Sequence, residues 1–170
     1  MKHLIALLLC AASLGAQAKI PTDYNAIVVN AVSSETETLF DITAAVERAT
    51  RENKPMFVYM GAHDCPPCQD YERFLRRNWD ALHASFDQVV VVDLRTALNS
   101  KRAIFIIGDK RYTYSQFLNL IGDSVTAHFY PRYWFITPQL RQVKQAPRNL
   151  RNFQNVETHL EFLKLPAAGS

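Results

Sequence analysis

Two cysteines three residues apart, Cys65 and Cys68, enclose Pro66 and Pro67 and stand between two segments of opposite character. Before them, Pro55-Met56-Phe57-Val58-Tyr59-Met60 reads as a buried strand. After them, Tyr71, Phe74, Leu75 and Leu82 recur at helical spacing. This order puts the first sulfur at the open N-terminus of a helix, where aligned peptide dipoles favour a thiolate over a thiol. With two residues between them on the first turn, the sulfurs can close a small ring and reopen without rearranging the fold. Val89-Val90-Val91-Val92 supplies a second strand. Strand, helix, strand implies a parallel pair with a right-handed crossover, and hence an α/β domain.

The same alternation extends outward. Ala26 to Val32 favours β structure, and Asp41 is placed to cap a helix that buries Ile42, Ala45, Val46 and Ala49. Between Leu94 and Ser124 the pattern admits a strand at Ile104 to Ile107, a turn at Gly108-Asp109, and a short helix from Tyr114 to Ile121 begun by Thr113 or Ser115. Tyr133 to Ile136 reads as a strand, followed by a turn at Thr137-Pro138-Gln139 and a strand near Arg141 to Gln145. A final helix carries Phe153, Val156, Leu160 and Leu163 on one stripe.

The first eighteen residues do not belong to this core. Met1-Lys2-His3 is a short basic start, Leu4 to Leu14 an apolar run, and Ala16-Gln17-Ala18 a small-x-small cleavage site, the pattern of a secretory signal peptide. The apolar run is too short to span a bilayer. Leu9 is bulky where lipoprotein signals have a small residue before cysteine, which argues against lipidation at Cys10. Removing residues 1–18 leaves residues 19–170 as a single domain, with 18 basic against 16 acidic side chains once Lys2 is lost. That near balance implies no nucleic-acid partner. It also leaves Cys65 and Cys68 as the only cysteines of an exported, periplasmic chain, with one possible intramolecular disulfide.

At these residues the sequence resembles the thioredoxin family. The strand Met56 to Met60, the Cys65-Pro66-Pro67-Cys68 turn, the strand Val89 to Asp93, and Tyr130-Pro131 before Tyr133 to Ile136 follow the family's order over roughly residues 38–164. With an export signal and an insertion at Leu94 to Ser124, the chain looks most like periplasmic members, including the sulfur-oxidation (SoxW-like) group. The resemblance implies a central mixed sheet flanked by helices, with the insertion ahead of a cis-proline loop. It implies that Cys65 attacks, that Cys68 resolves the mixed disulfide, that Pro131 is cis beside the dithiol, and that the Tyr130 backbone pairs with the substrate segment. It implies a protein disulfide as substrate and no organic cofactor or metal. A reductase of this kind would need a membrane-bound thiol donor, and a monomer suffices for the chemistry.

Departures from the family's pattern bear on redox direction. Asp64 stands where members commonly have tryptophan, and a neighbouring acid disfavours the Cys65 thiolate. Tyr59 occupies the strand position where many members bury an acid, so the proton acceptor for Cys68 is undetermined, with His63 a nearby candidate. Pro66 and Pro67 withdraw two N–H donors from the first turn, each charge-assisted bond being worth roughly 1.5–3 kcal/mol. A less stabilised thiolate means a more reducing couple, which favours a reductase. Arg132 beside Pro131 opposes this if its charge approaches the thiolate. A thiol oxidase, or a non-enzymatic module that carries copper or binds a partner, are the alternatives. Structural zinc wants four ligands, while His83, His128 and His159 are scattered and read as surface or satisfied core positions. The aromatic run from Tyr112 to Phe135 reads as core packing, with Tyr130 the exception. Arg132, Arg141, Lys144, Arg148 and Arg151 read as a solvated edge, or as a docking face for an acidic partner.

Overall fold

The computed structural model describes residues 19–125, 127–146 and 154–164. The segment expected to be an export signal, residues 1–18, lies outside the described residues, as do Phe153, Arg148 and Arg151.

Two sheets organise the chain. The central one contains β1 (Ile27–Asn30), β4 (Met56–Ala62), β5 (Val90–Thr96), β8 (Arg132–Ile136) and β9 (Gln142–Lys144) in the order β1-β5-β4-β8-β9. β4 runs parallel to β5, with Val58 opposite Val92, and antiparallel to β8, with Val58 opposite Trp134. All seven residues of β4 are buried, as a near-continuous apolar run on a doubly covered strand should be. One face of this sheet carries Phe57 and Tyr59 and is covered by α2 (Pro66–Arg77), α3 (Trp79–Phe86) and α5 (Val156–Leu163). Met56, Val58, Met60 and Trp134 point the other way, toward α1 (Thr43–Glu52) and α4 (Tyr114–Ile121).

The second sheet was not foreseen from the residues. It comprises β2 (Val32–Ser33), β3 (Glu37–Asp41), β6 (Arg102–Ile107) and β7 (Lys110–Thr113), in the order β2-β3-β6-β7. The insertion thus contributes the hairpin β6–β7, turned at Gly108 with φ of +62°, and docks it in parallel on β3, Leu39 opposite Ile104. Phe40 and Phe105 from this sheet, Phe117 from α4 and Trp134 from the central sheet form one aromatic cluster, Phe105 stacking on Phe117 at 4.0 Å between centroids. On the outside, Glu37 bridges Arg102 and Arg111. Thr113 begins α4 with a reciprocal capping box to Gln116.

Local expectations shift at three places. The helix expected to run on from Tyr71 to Leu82 breaks at Asn78, whose side-chain amide donates to the Phe74 carbonyl at 2.7 Å, so Leu82 belongs to α3. Asp41 was expected to cap α1 but ends β3, and Ile42 is the N-cap residue, although the Asp41 carboxylate still accepts from the Thr43 amide at 3.0 Å. The last helix buries His159, Phe162 and Leu163, with Val156 and Leu160 only partly covered. The stripe is rotated because His159, polar by type, lies among Phe57, Phe74 and Phe86, where burial lowers its pKa to about 3 and keeps it neutral.

Candidate active site

β4 ends at Ala62, and the chain turns through His63 and Asp64 into α2, with Cys65 as the N-cap residue. Cys65 and Cys68 are joined as a disulfide, their Cα atoms 5.2 Å apart. The Cys68 amide donates to the Cys65 sulfur at 3.2 Å. Pro66 and Pro67, which lack N–H groups, fill the two positions before it.

The first sulfur was expected to be open, but in the disulfide form Cys65 is only 2 % exposed and Cys68 is fully buried. Tyr130 packs against the cluster that contains both cysteines, and its hydroxyl is 2.9 Å from Ser100 Oγ. Asp64 Oδ1 accepts from the Leu98 amide at 2.8 Å. Asp64 and Tyr130 thus both tie down the 97–101 loop that follows β5 and leaves Leu98 half exposed. Burial and the Asp64 charge hold the Tyr130 hydroxyl above its ordinary pKa, against the Ser100 and Thr96 hydrogen bonds. The peptide bond between Tyr130 and Pro131 is cis. Since Arg132 pairs with Met60, the antiparallel register carries Pro131 to the end of β4 from which the dithiol turn departs.

The tuning candidates fare differently. His63 donates its backbone N–H to the Thr96 carbonyl at 3.0 Å, and its Nδ1 lies 2.9 Å from the same oxygen, which can only accept. The ring is thereby held toward the end of β5 with Nε2 as the remaining nitrogen. Arg132 is a correction: it is 3 % exposed and shares the Met60 side of the sheet, opposite the face carrying the dithiol. Its guanidinium pairs with Asp123 at 2.5 Å and lies over the Phe129 and Trp134 rings. Asp123 also accepts from Trp134 Nε1 at 2.8 Å and the Val125 amide at 2.9 Å. Burial would raise the Asp123 carboxyl, but these donors together hold it below its ordinary range. A cation spent this way neither approaches Cys65 nor joins a docking face, and Lys144 is likewise occupied, donating to the Glu161 carbonyl at 2.7 Å.

Glu72 was missed by sequence reasoning. It lies one helical turn beyond Cys68, on the buried side of α2, and is 4 % exposed. The Tyr59 hydroxyl donates to its Oε1 at 3.4 Å. Burial raises its pKa to about 7, with Asp93 adding to the rise and the Lys19 backbone N–H, Arg76 and Tyr59 opposing it. The strand position thus keeps an acid within reach by proxy: Tyr59 extends from β4 to a carboxylate supplied by α2. The detectable signal was a glutamate falling on the apolar stripe of an amphipathic helix. Gly61 makes this possible, since a Cβ there would overlap the Tyr59 ring, 2.6 Å from Cζ.

Among the described residues, no three His, Cys, Asp or Glu side chains gather to hold a metal ion, and no helix is long and apolar enough to cross a membrane. A family model described as thioredoxin-like matches residues 36–138, more than half of the chain. No curated protein matches it.

Proposed function

Because the chain belongs to the thioredoxin-like family, we propose that it is an exported, periplasmic thiol:disulfide oxidoreductase that works through Cys65 and Cys68, reducing protein disulfides rather than forming them. The single observation that carries this reading is the Cys65–Cys68 disulfide at the N-terminus of α2, at the end of β4 to which the cis Tyr130-Pro131 loop is brought.

In the dithiol form, the Cys65 thiolate attacks one sulfur of a partner disulfide. A mixed disulfide forms, and the other partner sulfur leaves as a thiolate. Cys68, once deprotonated, attacks the Cys65 sulfur, closing the intramolecular bond and releasing the second partner thiolate. Two electrons pass to the partner, and an external dithiol, such as a membrane-bound thiol donor, must restore them. Glu72 is the group we assign to take the Cys68 proton. It lies one turn along the same buried helical face, and an ionised carboxylate there can accept it.

The reducing direction rests on a short donor inventory. With Pro66 and Pro67 on the first turn, the Cys68 amide is the backbone donor that reaches the Cys65 sulfur. Arg132, the cation that argued for an oxidant, is committed to Asp123 on the far face. A partner must still reach a covered sulfur, so the Tyr130–Ser100 contact opens during exchange, and Leu98 beside it offers an apolar contact to an incoming chain.

Equilibration against glutathione buffers tests the direction. A potential near or below that of cytosolic reductants, about −270 mV, is expected, and one near −120 mV would make the protein an oxidant. Cys65→Ser must abolish disulfide exchange, and undiminished exchange in that variant would refute the assignment.

A further inference from the structure

The first described residues form a strap across the dithiol face of the central sheet. Ile20 is 1 % exposed, and the Tyr24 ring packs edge-on against Trp79 and Phe86 while its hydroxyl donates to the Leu75 carbonyl at 2.9 Å. The strap reaches two buried carboxylates. The Ile20 amide donates to Asp93 Oδ2 at 3.2 Å, and the adjoining Lys19 backbone N–H acts to lower the pKa of Glu72. Asp93 is fully buried, yet its Oδ1 has no hydrogen-bond partner among the described residues.

The local charge is unbalanced. From β5, Arg95 Nε donates to Asp93 Oδ2 at 2.8 Å, and from α2, Arg76 acts on Glu72 from a greater distance. Tyr59 from β4 offers a neutral hydroxyl, and the Lys19 side chain acts on Asp93. Two buried carboxylates therefore share one guanidinium in contact, and an acceptor is left over. Burying an ionised carboxylate without a partner is costly, so such a pair calls for a cation with several donors.

Lys19 directly follows Ala16-Gln17-Ala18, the small-x-small site of the export signal. While residue 18 is attached, the Lys19 nitrogen is a neutral amide with one hydrogen. Hydrolysis of the Ala18–Lys19 bond would turn that nitrogen into an ammonium with three hydrogens and a full positive charge. We propose that the chain is processed between Ala18 and Lys19 and that the α-ammonium so created is the built-in counter-ion of the buried Glu72–Asp93 carboxylate pair. The inference rests on the export reading, but not on the redox one. It makes signal removal a step that completes the electrostatics of the domain, one helical turn from Cys68.

The test compares two oxidised proteins, one beginning at Lys19 and one beginning at Ala18, which keeps the same charge but displaces the ammonium by one residue, about 3.8 Å. Intact mass of the chain exported from the full gene should place Lys19 first. At pH 7 the Lys19 form should melt about 3 °C or more above the Ala18 form. Its α-amino pKa, followed by NMR, should lie about one unit or more above the ordinary value near 8. In a Glu72→Gln background, or in Asp93→Asn, the melting difference should shrink. A different first residue, equal melting temperatures or an ordinary α-amino pKa would each overturn the proposal. Disulfide exchange by both forms reports separately on the redox reading: its absence alongside a melting difference would overturn that reading and leave this one standing.

Discussion

Replacing Asp123 by Leu removes one acceptor from four donors at once: Arg132 Nη2, Trp134 Nε1, the Val125 amide and, at 3.3 Å, Gln145 Nε2. The Asp123 and Arg132 side chains are 0 and 4 % exposed, so water cannot take over. The guanidinium would keep the Val125 carbonyl and two aromatic faces, and its Nε already lacks a partner among the described residues. Stripping one member from a buried pair costs about 3–5 kcal/mol. At roughly 2–4 °C per kcal/mol for a chain of this length, Tm should fall on the order of 10 °C. Thermal unfolding of the oxidised protein measures that fall and urea unfolding the free-energy loss, together with Arg132→Met and the double variant, which should recover most of the loss because no buried charge remains. Since the carboxyl is held below its ordinary 3.8, the wild-type advantage should be complete above about pH 4 and be lost as pH falls further. A single-variant loss below about 1 kcal/mol, or a double variant that loses the sum of the singles, would refute the coupling.

Gly61→Ala should cost about 1–3 kcal/mol in urea unfolding, because the added methyl overlaps the buried Tyr59 ring and both neighbouring strands are fixed. His159 provides a pH signature. Its folded pKa of about 3 lies below the ordinary 6.5, so the unfolded chain binds the proton first and stability falls as pH drops below 6.5. Between pH 6.5 and 4.5 that loss should reach about 2–3 kcal/mol, and His159→Gln, which keeps an acceptor for the Tyr71 hydroxyl, should flatten it. Tyr130→Phe removes the hydrogen bond to Ser100, worth about 1 kcal/mol, and should speed reduction of the Cys65–Cys68 bond by dithiothreitol about fivefold. An unchanged rate would mean that this contact does not guard the sulfur.

The central sheet was legible because β4 is an uninterrupted apolar run and β5 opens on three consecutive valines, and the dithiol because its spacing and placement are local. β3 was not, since Glu37-Thr38-Leu39-Phe40-Asp41 has one short alternation and earns its strand geometry from β6, far along the chain. The same nonlocality hid the site's electrostatics. Arg132 follows Pro131 in sequence, yet strand alternation turns it to the opposite face. Glu72 looks like a surface charge until the helix is docked. Tyr59 seemed to delete an acid that the fold supplies from α2.

The parallel pairing of β3 with β6 joins segments sixty-five residues apart, and between them lie α1, β4, the dithiol turn, α2, α3 and β5. Closing so long a loop is entropically unfavourable until the intervening chain has collapsed. β3 therefore emerges early and waits, its hydrogen-bonding edge bare, while the redox core assembles behind it. The hairpin that arrives later seals that edge, so a chain stalled before Arg102 would carry both cysteines on an unfinished, association-prone body.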